Sequence, residues 1–394
     1  TSQTLELFLK YLFIIPSITN YFTFLEDLAK ELQEQSHQVY LATSTHHISK
    51  IDCYDRPVYG ELVELEFPRG FEWNKHLIAA RQLRVIVNRV QPDIINVHFS
   101  AAMFTTAIAK EPHWPLTSAM IHGLAFPILT GWRKLAIGSA ERWAAKKMDS
   151  IILLNQTDKR ALSNYVPAEK ITVLNSFGLG CDLEKFDRSL IPMERDEMFH
   201  RRLGVRKGDF VFIFVGRQVH FKGFDKLIRA FLSLYGDHKN MKLILVGAKD
   251  NIHTTNLSPN EEEEMRKCPG VINVGWKENV SDYLLVADVN VFPSVREGMP
   301  VNLMESLAMG IPVITADSRG CNEVVLHNKN GLLLKKNDVS QLKEAMLRLF
   351  KNRDLLHELS QNAMAGRSQF DRSHFIKEMV DFFERVASNQ PIAS

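Results

Sequence analysis

The chain has 394 residues, more than one ordinary hydrophobic core holds, so two domains are expected. Its composition, 45% hydrophobic and 24% charged, is typical of a soluble globular protein and excludes a collagen-like or disordered chain. The formal net charge is +2, from 48 Lys and Arg against 46 Asp and Glu, so no nucleic-acid partner is expected.

Two further features limit the class of protein. The apolar stretch 5–18 contains Glu6 and Lys10, is too short to span a bilayer, and lacks the flanks of a signal peptide. We therefore expect a cytoplasmic protein. The cysteines lie far apart without a CxxC pair, which disfavours a zinc site or disulfide framework and fits a reducing cytosol: they are Cys53, Cys181, Cys268 and Cys321.

In the first half of the chain, short apolar runs alternate with amphipathic segments. Such runs indicate parallel strands buried on both faces of a sheet. The helix before the second run is marked by Phe22, Leu25 and Leu32 at helical spacing. Strands are predicted at residues 12–15, 37–42, 93–99, 116–122 and 150–155.

The pattern repeats in the second half, and two such series predict an α/β protein with two Rossmann-like, doubly wound domains. The charged segment 186–202 predicts the boundary, giving domains 1–190 and 191–370. The C-terminal helical segment 371–394 is expected to join the first domain. Strands of the second domain are predicted at residues 210–215, 242–246, 271–274, 289–292 and 311–315.

The first candidate site follows the strand at 210–215. Gly216 permits a sharp exit from that strand. Arg217 and Lys222 come next, at the carboxyl end of the strand, where ligands bind in open α/β sheets. A guanidinium fork and a mobile ammonium suit a diphosphate, and they can stabilise the charge on a departing nucleotide. Two surface cations flanking a turn are the alternative.

The second candidate site is the loop and helix after the strand at 289–292. Glu297 lies in the loop and Glu305, eight positions on, lies a turn inside the helix, so both can face one ligand. The start of this helix offers free N–H groups and a positive dipole end to a phosphate. A carboxylate inside the helix can accept two hydroxyl hydrogen bonds, as from a ribose diol. A solvent-facing Glu305 is the alternative.

These motifs resemble the retaining GT-B glycosyltransferases of family 4. The resemblance is strong over residues 205–350 and weaker over 10–200, where His122-Gly123 and the segment 175–186 match the family. It implies two Rossmann-like domains that face each other across a cleft, an acceptor side in the N-terminal domain and a nucleotide-sugar site in the C-terminal one. Relatives of the bacterial capsular and exopolysaccharide type fit best.

The resemblance implies roles for the motif residues. Arg217 and Lys222 would hold the diphosphate, Glu297 would contact the transferred sugar, Glu305 would bind the ribose, and His122 would lie near the sugar and the leaving phosphate. The catalytic set would therefore be His122, Arg217, Lys222 and Glu297. The donor site would be completed by the loop and helix start at Gly216, Gly298, Met299, Pro300, Asn302 and Leu303. Neither a metal nor another cofactor is expected.

One loop departs from the family. Where many relatives have a glycine-rich loop after the first strand, this chain has the sequence PSITNY at 16–21. A polar residue here can cap the following helix. Candidate acceptor-side residues are Ser17, Asn20 and Tyr21, with His98 at the end of the strand at 93–99; a satisfied buried histidine is the alternative for His98.

The expected partners are a nucleotide-sugar, first of all a UDP-linked hexose or N-acetylhexosamine, and a saccharide or lipid-linked saccharide acceptor. Basic amphipathic segments at 73–90 and 131–147 are compatible with peripheral contact at the inner face of the cell membrane, the alternative being core-packed helices with a solvated basic face. The sequence does not indicate an oligomeric state. A nucleotide-sugar epimerase or hydrolase, and a catalytically silent nucleotide-binding subunit, are the alternative functions.

Overall fold

The computed structural model describes residues 8–45, 57–68, 72–129, 131–250 and 253–388, except for the side chains of Ile128 and Arg133. The chain divides into an N-terminal unit, residues 1–175 with 375–394, and a C-terminal unit, residues 176–374. The C-terminal segment predicted to join the first domain therefore does so from Phe375 onward, and its residues 389–394 lie outside the described part.

The boundary at 175/176 falls earlier than the predicted 190/191 because residues after Ser176 are bonded to the end of the C-terminal unit. The N–H of Cys181 donates to the carbonyl of Phe370 at 2.7 Å, and the N–H of Arg372 donates to the carbonyl of Cys181 at 3.1 Å. The segment 186–202, where the boundary was predicted, contains most of a helix, Met193–Leu203.

The N-terminal unit has one parallel sheet of seven strands in the order β3-β2-β1-β4-β5-β6-β7. The central strands are buried throughout, as their continuous apolar runs predict. The strands are β1 (Lys10–Ile14), β2 (Gln38–Thr43), β3 (Glu61–Glu64), β4 (Ile94–His98), β5 (Thr117–Ile121), β6 (Ser150–Leu153) and β7 (Ile171–Val173).

Helices alternate with these strands and place their apolar stripes on the sheet. Ser17 caps the first helix by accepting the N–H of Asn20 at 3.4 Å, as the predicted capping role requires. The helices are α1 (Ile18–Phe24), α2 (Glu26–Glu34), α3 (Trp73–Val90), α4 (Ser100–Ala109), α5 (Gly131–Lys147) and α6 (Gln156–Leu162).

The C-terminal unit has a second parallel sheet, of six strands in the order β10-β9-β8-β11-β12-β13. Every residue of its central strand Phe210–Val215 is buried, because the run FVFIFV packs against helices on both faces. The strands are β8 (Phe210–Val215), β9 (Met241–Val246), β10 (Val271–Gly275), β11 (Val289–Phe292), β12 (Val313–Ala316) and β13 (Gly331–Leu334).

The helices of this unit begin at polar caps in several places. Ser258 and Glu261 form a capping box, and Asp338 and Asn352 accept N–H groups of the helices they precede. The helices are α7 (Met193–Leu203), α8 (Phe224–Tyr235), α9 (Pro259–Lys267), α10 (Val280–Leu285), α11 (Val301–Ala308), α12 (Cys321–Val324), α13 (Val339–Lys351) and α14 (Arg353–Ala365).

The last helix, α15 (Arg372–Ala387), carries the chain back to the N-terminal unit. Its buried Phe383 packs against Tyr11 at 5.2 Å and Phe13 at 6.1 Å between ring centroids, so it covers β1. Asn175, on the same unit, donates its N–H to Glu378 at 2.8 Å. None of the helices in the described part of the chain combines the length and the hydropathy that crossing a membrane requires.

Candidate active site

The loop after β8 leaves the sheet through Gly216. This residue has φ 153°, and a Cβ there would lie 3.1 Å from the ring of Phe292. Its N–H still donates to the carbonyl of Val246 at 2.8 Å. The chain therefore turns tightly at the carboxyl edge of the sheet, where the sequence predicted a ligand site.

Gly223 lets the loops after β8 and β11 touch. It has φ 76°, and a Cβ there would lie 2.4 Å from the carbonyl oxygen of Pro293, which no side chain tolerates. Beside it, the N–H of Val295 donates to the carbonyl of Phe221 at 3.0 Å. These contacts bring the two predicted motifs together at one edge.

Lys222 and Glu297, one from each motif, form a partly buried ion pair. The Lys222 Nζ lies 2.5 Å from Oε1 of Glu297, and the two side chains are only 17% and 10% exposed. The Ser294 hydroxyl donates to the same carboxylate oxygen at 2.6 Å. An ion pair shielded from solvent in this way is strong and fixes the direction of both side chains.

Arg217 pairs with a carboxylate that the sequence did not single out. Its guanidinium pairs with Asp250, in the loop after β9, and lies 5.6 Å from the centroid of the Phe221 ring. Asp250 also bonds His253 Nδ1 at 3.2 Å. The structure thus gives each predicted cation its own carboxylate, and sequence reasoning missed Asp250, which only its position after β9 could have indicated.

The loop after β12 also joins the site. The Ser318 hydroxyl donates to the carbonyl of Ser294 at 2.7 Å, and the Arg319 Nε–H donates to the carbonyl of Glu297 at 3.0 Å. Neither residue was singled out from the sequence. The backbone around Glu297 is therefore fixed from two neighbouring loops, which favours a pre-organised binding site.

The predicted phosphate-binding helix is α11. It begins after Pro300, which makes no side-chain cap hydrogen bond, and the N–H of Leu303 donates to the carbonyl of Pro300 at 3.2 Å. The Asn302 side chain donates to the carbonyl of Val215 at 2.8 Å, which ties α11 to β8. Leu303 and Met299 are buried, so their predicted donor contacts can come only from the backbone. Gly298 precedes them in the same loop.

Glu305 lies within α11 and is half-buried. Burial raises the pKa of its carboxyl to about 7, and the nearby positive charges of Arg372 and Lys185 partly oppose the shift. Those two basic residues were not recognised in the sequence, because they lie at the distant ends of the same unit. A half-buried carboxyl with nearby cations is a suitable acceptor for hydroxyl groups.

The N-terminal unit corrects one acceptor-side prediction. The ring of Tyr21 is buried, and its hydroxyl accepts the N–H of Tyr59 at 2.8 Å, so Tyr21 packs the core and does not line a pocket. Burial also raises the pKa of its phenol. Ser17 caps α1 and Asn20 remains partly exposed beside it.

His98 is also corrected: it is fully buried and cannot touch a ligand directly. Its Nδ1 lies 2.9 Å from Nε2 of His122, and its Nε2 lies 2.6 Å from Oδ1 of Asn96, a residue that the sequence did not single out. Burial lowers the pKa of His122 to about 3 and holds that of His98 well below its usual range. Both rings are therefore neutral near pH 7.

A protein metal site needs several His, Cys, Asp or Glu side chains close together. Within the described residues, no group of three or more His, Cys, Asp or Glu side chains is placed to hold a metal ion. The carboxyl edge of the C-terminal sheet carries two ion pairs, Lys222 with Glu297 and Arg217 with Asp250.

Known proteins resemble the chain over both units. Residues 22–177 match the family model described as Glycosyltransferase Family 4, and residues 195–365 match Glycosyl transferases group 1. The chain is 28% identical to the UDP-Gal:alpha-D-GlcNAc-diphosphoundecaprenol alpha-1,3-galactosyltransferase of Escherichia coli, over 75% of each chain. It is 25% identical to the capsular polysaccharide biosynthesis glycosyltransferase CapM of Staphylococcus aureus, over 71% of this chain and 72% of CapM.

A solved structure agrees. HepE of Anabaena, crystallised with UDP and glucose, superposes with a TM-score of 0.79 at 18% identity, covering 95% of this chain and 99% of HepE. The two parallel sheets and this likeness define the GT-B fold of glycosyltransferases. The chain itself belongs to glycosyltransferase family 4, since the two matching family models together span most of its length.

The neutral histidine pair predicts how stability depends on pH. His98 and His122 have folded pKa values below the value near 6.5 expected in the unfolded chain, so the unfolded state binds more protons below that pH. Their stabilising effect is complete above pH 6.5 and is lost as the pH falls, at about 1.4 kcal/mol per pH unit for each histidine. Urea unfolding from pH 7 to pH 5 should be less pH-dependent in His122→Gln than in the wild type.

The control is His113→Gln, which removes an exposed histidine of the same unit. It should change the pH dependence less than His122→Gln does. Equal slopes for the wild type and His122→Gln would contradict the neutral pair.

Proposed function

We propose that this protein is a retaining glycosyltransferase that moves a hexose or N-acetylhexosamine from a UDP-linked donor to a hydroxyl of a saccharide or lipid-linked saccharide. Bacterial surface polysaccharide synthesis is the proposed setting. The observation that carries the proposal is the Lys222–Glu297 contact, which joins the ends of β8 and β11. The names of the Escherichia coli and Staphylococcus aureus relatives, and the UDP and glucose bound by HepE, support the donor and the setting.

In the proposed complex, the C-terminal unit holds the donor. Arg217 and Lys222 bind the diphosphate, with the start of α11 as a further seat for its oxygens. Glu297 accepts hydroxyl hydrogen bonds from the sugar, and Glu305 accepts them from the ribose. When the diphosphate binds, Arg217 and Lys222 must therefore divide their hydrogen bonds between it and their present partners, Asp250 and Glu297.

In the proposed reaction, an acceptor hydroxyl oxygen bonds to the anomeric carbon while the bond from that carbon to the phosphate oxygen breaks. The bonding electrons leave with the phosphate oxygen, which also takes the hydroxyl proton. Attack on the face that the nucleotide leaves retains the configuration. Arg217 and Lys222 stabilise the charge that develops on the diphosphate, so the proposal requires neither a metal nor a protein nucleophile.

Nucleotide binding tests the donor site. Calorimetric titration in EDTA should show one of UDP, GDP and ADP, with UDP expected, binding tightly to the wild type. The Arg217→Ala/Lys222→Ala double variant should weaken that binding at least about 100-fold, because two charge-assisted contacts are lost. Lys207→Ala is the matched control, since Lys207 is exposed before β8, at the other end of the same strand. Absence of binding by all three nucleotides would refute the donor site.

Product analysis tests the reaction. With an α-linked UDP-sugar and a saccharide acceptor, the NMR spectrum of the product should show an α linkage. A β-linked product would rule out retention. A free sugar without a linked product would favour the hydrolase, and a changed sugar would favour the epimerase. Nucleotide binding without turnover, in the wild type and in Glu305→Ala alike, would favour a silent subunit.

We also propose that the N-terminal unit contacts an anionic membrane from the cytoplasmic side. Trp73 of α3 and Trp143 of α5 are both exposed and both pack on Phe104 of α4, at 5.7 and 5.6 Å between ring centroids. They therefore belong to one aromatic surface. Exposed residues of α3 and α5 add apolar and basic groups to this surface, which suit contact with anionic headgroups: Lys75, Ile78, Trp132, Lys134, Leu135, Lys146 and Lys147.

Vesicle sedimentation tests this surface. The wild type should bind vesicles of phosphatidylglycerol and phosphatidylcholine more tightly than phosphatidylcholine alone, and Trp132→Ser/Leu135→Ser should reduce binding at least about 10-fold. The control is Leu190→Ser/Met193→Ser, because those side chains are 64% and 74% exposed, against 72% and 69% for the tested pair, and lie on the other unit. Equal losses in both variants would refute the proposed surface.

A further inference from the structure

A line of four polar side chains runs through the N-terminal sheet to its carboxyl edge. Asn96 Nδ2 donates to the Ser118 hydroxyl oxygen at 2.7 Å, and Asn96 Oδ1 lies 2.6 Å from Nε2 of His98. His98 Nδ1 lies 2.9 Å from Nε2 of His122, which ends the line. The first three side chains are fully buried, and the last is partly exposed.

The direction of these hydrogen bonds follows from the fixed end. The Ser118 hydroxyl donates to the carbonyl of Ile95 at 3.3 Å, so its oxygen receives the amide N–H of Asn96. The amide oxygen must then accept from Nε2–H of His98. Because a neutral imidazole carries one proton, His98 Nδ1 is an acceptor and His122 Nε2 is the donor.

The free end agrees with this direction. His122 Nδ1 is buried and has no hydrogen-bond partner among the described residues. In the opposite direction this atom would be an orphaned N–H, which native structures tolerate less often than an under-satisfied acceptor. The hydrogen bonds of Ser118 and the unpartnered His122 Nδ1 therefore indicate the same tautomer, in which Nδ1 carries a lone pair.

We propose that Asn96 and His98 are positioning residues, which hold His122 in its Nε2–H tautomer so that Nδ1 accepts a hydrogen bond from a hydroxyl of the saccharide substrate. This inference rests on the proposed function, because only a glycosyl donor or acceptor brings such a hydroxyl to the site. A lone pair repels the anionic oxygens of a phosphate. The contact made through Nδ1 is therefore to a sugar and not to the diphosphate.

Two aromatic rings pack on His122 and fix the orientation of its imidazole plane. Phe99 stacks on it at 4.2 Å between centroids with an angle of 20°, and Phe24 packs on it at 4.9 Å. Phe99 reaches this position with φ 70°, a conformation that a bulky residue adopts only when its surroundings enforce it. Such strained residues cluster at functional sites.

The backbone after His122 is held by two acidic side chains. Asp158 accepts the N–H of Leu124 at 3.2 Å, and Glu141 accepts the N–H groups of Ala125 and Phe126 at 3.1 and 3.0 Å. The loop therefore cannot shift to relieve the unpaired Nδ1. Nδ1 is buried in this structure, so a substrate hydroxyl bonds to it only after a neighbouring side chain moves.

The position on the sheet supports a ligand contact. His98 ends β4 and His122 follows β5, while the strand order reverses between β1 and β4. In open α/β sheets, ligands bind outside the carboxyl ends of the strands at such a reversal. Since His98 is fully buried, it can influence a ligand there only through His122.

Kinetics of matched variants test the inference. His98→Leu removes the acceptor for His122 Nε2–H, whereas His98→Asn places an amide oxygen near the position of Nδ1. With whichever of UDP-glucose, UDP-galactose and UDP-N-acetylglucosamine the wild type uses, His98→Leu should lower kcat/KM at least about 10-fold, and His98→Asn should stay within about 3-fold. His76→Leu is the control, because His76 is another buried histidine of the unit, with Nδ1 bonded to Thr105 at 2.8 Å.

Nitrogen NMR of histidine-labelled protein tests the tautomer without any substrate. The wild type should show His122 with a protonated Nε2 and an unprotonated Nδ1, and His98→Leu should change this pattern while His76→Leu should not. A protonated Nδ1 in the wild type would overturn the inference, as would equal losses of kcat/KM in His98→Leu and His76→Leu. If the wild type transfers no sugar, the proposed function fails, but the NMR result still decides the tautomer.

Discussion

Both candidate functional regions depend on the parallel direction of the two sheets. Parallel strands need crossover helices, which cover both faces of the sheet and leave the carboxyl edge as the place where loops meet. In the C-terminal unit this edge brings the loops after β8 and β11 so close that Gly223 touches the carbonyl of Pro293. The ion pair of Lys222 with Glu297 forms only because of that approach.

Charge at this edge is organised in pairs before any ligand binds. Lys222 shares Glu297 with the Ser294 hydroxyl, and Arg217 is held by Asp250 over the ring of Phe221. These partners fix the direction of both cationic side chains in the free protein. The same pairs neutralise the cations in the free protein, so a ligand must compete with a carboxylate for each of them.

At the carboxyl edge of the N-terminal unit, the two histidines are neutral, whereas the C-terminal edge carries ion pairs. His98 and His122 are buried and neutral, and the line that holds them, from Ser118 through Asn96, contains no charged group. A neutral acceptor suits hydroxyl groups, whereas a cationic edge suits phosphates.

The sequence by itself determined the strands β8 and β11 to the residue, the doubly wound class and the family, because buried strands and contiguous motifs are local patterns. It missed β3, β7 and β13, which are strands of three or four residues at the sheet edges, too short for a periodic pattern. Tertiary structure alone decided that Tyr21 belongs to the core, that Asp250 faces Arg217, that Asn96 holds His98, and that the unit boundary lies at 175/176. Each of these depends on a contact between residues that periodicity and motif spacing do not relate, so only the folded chain brings them together.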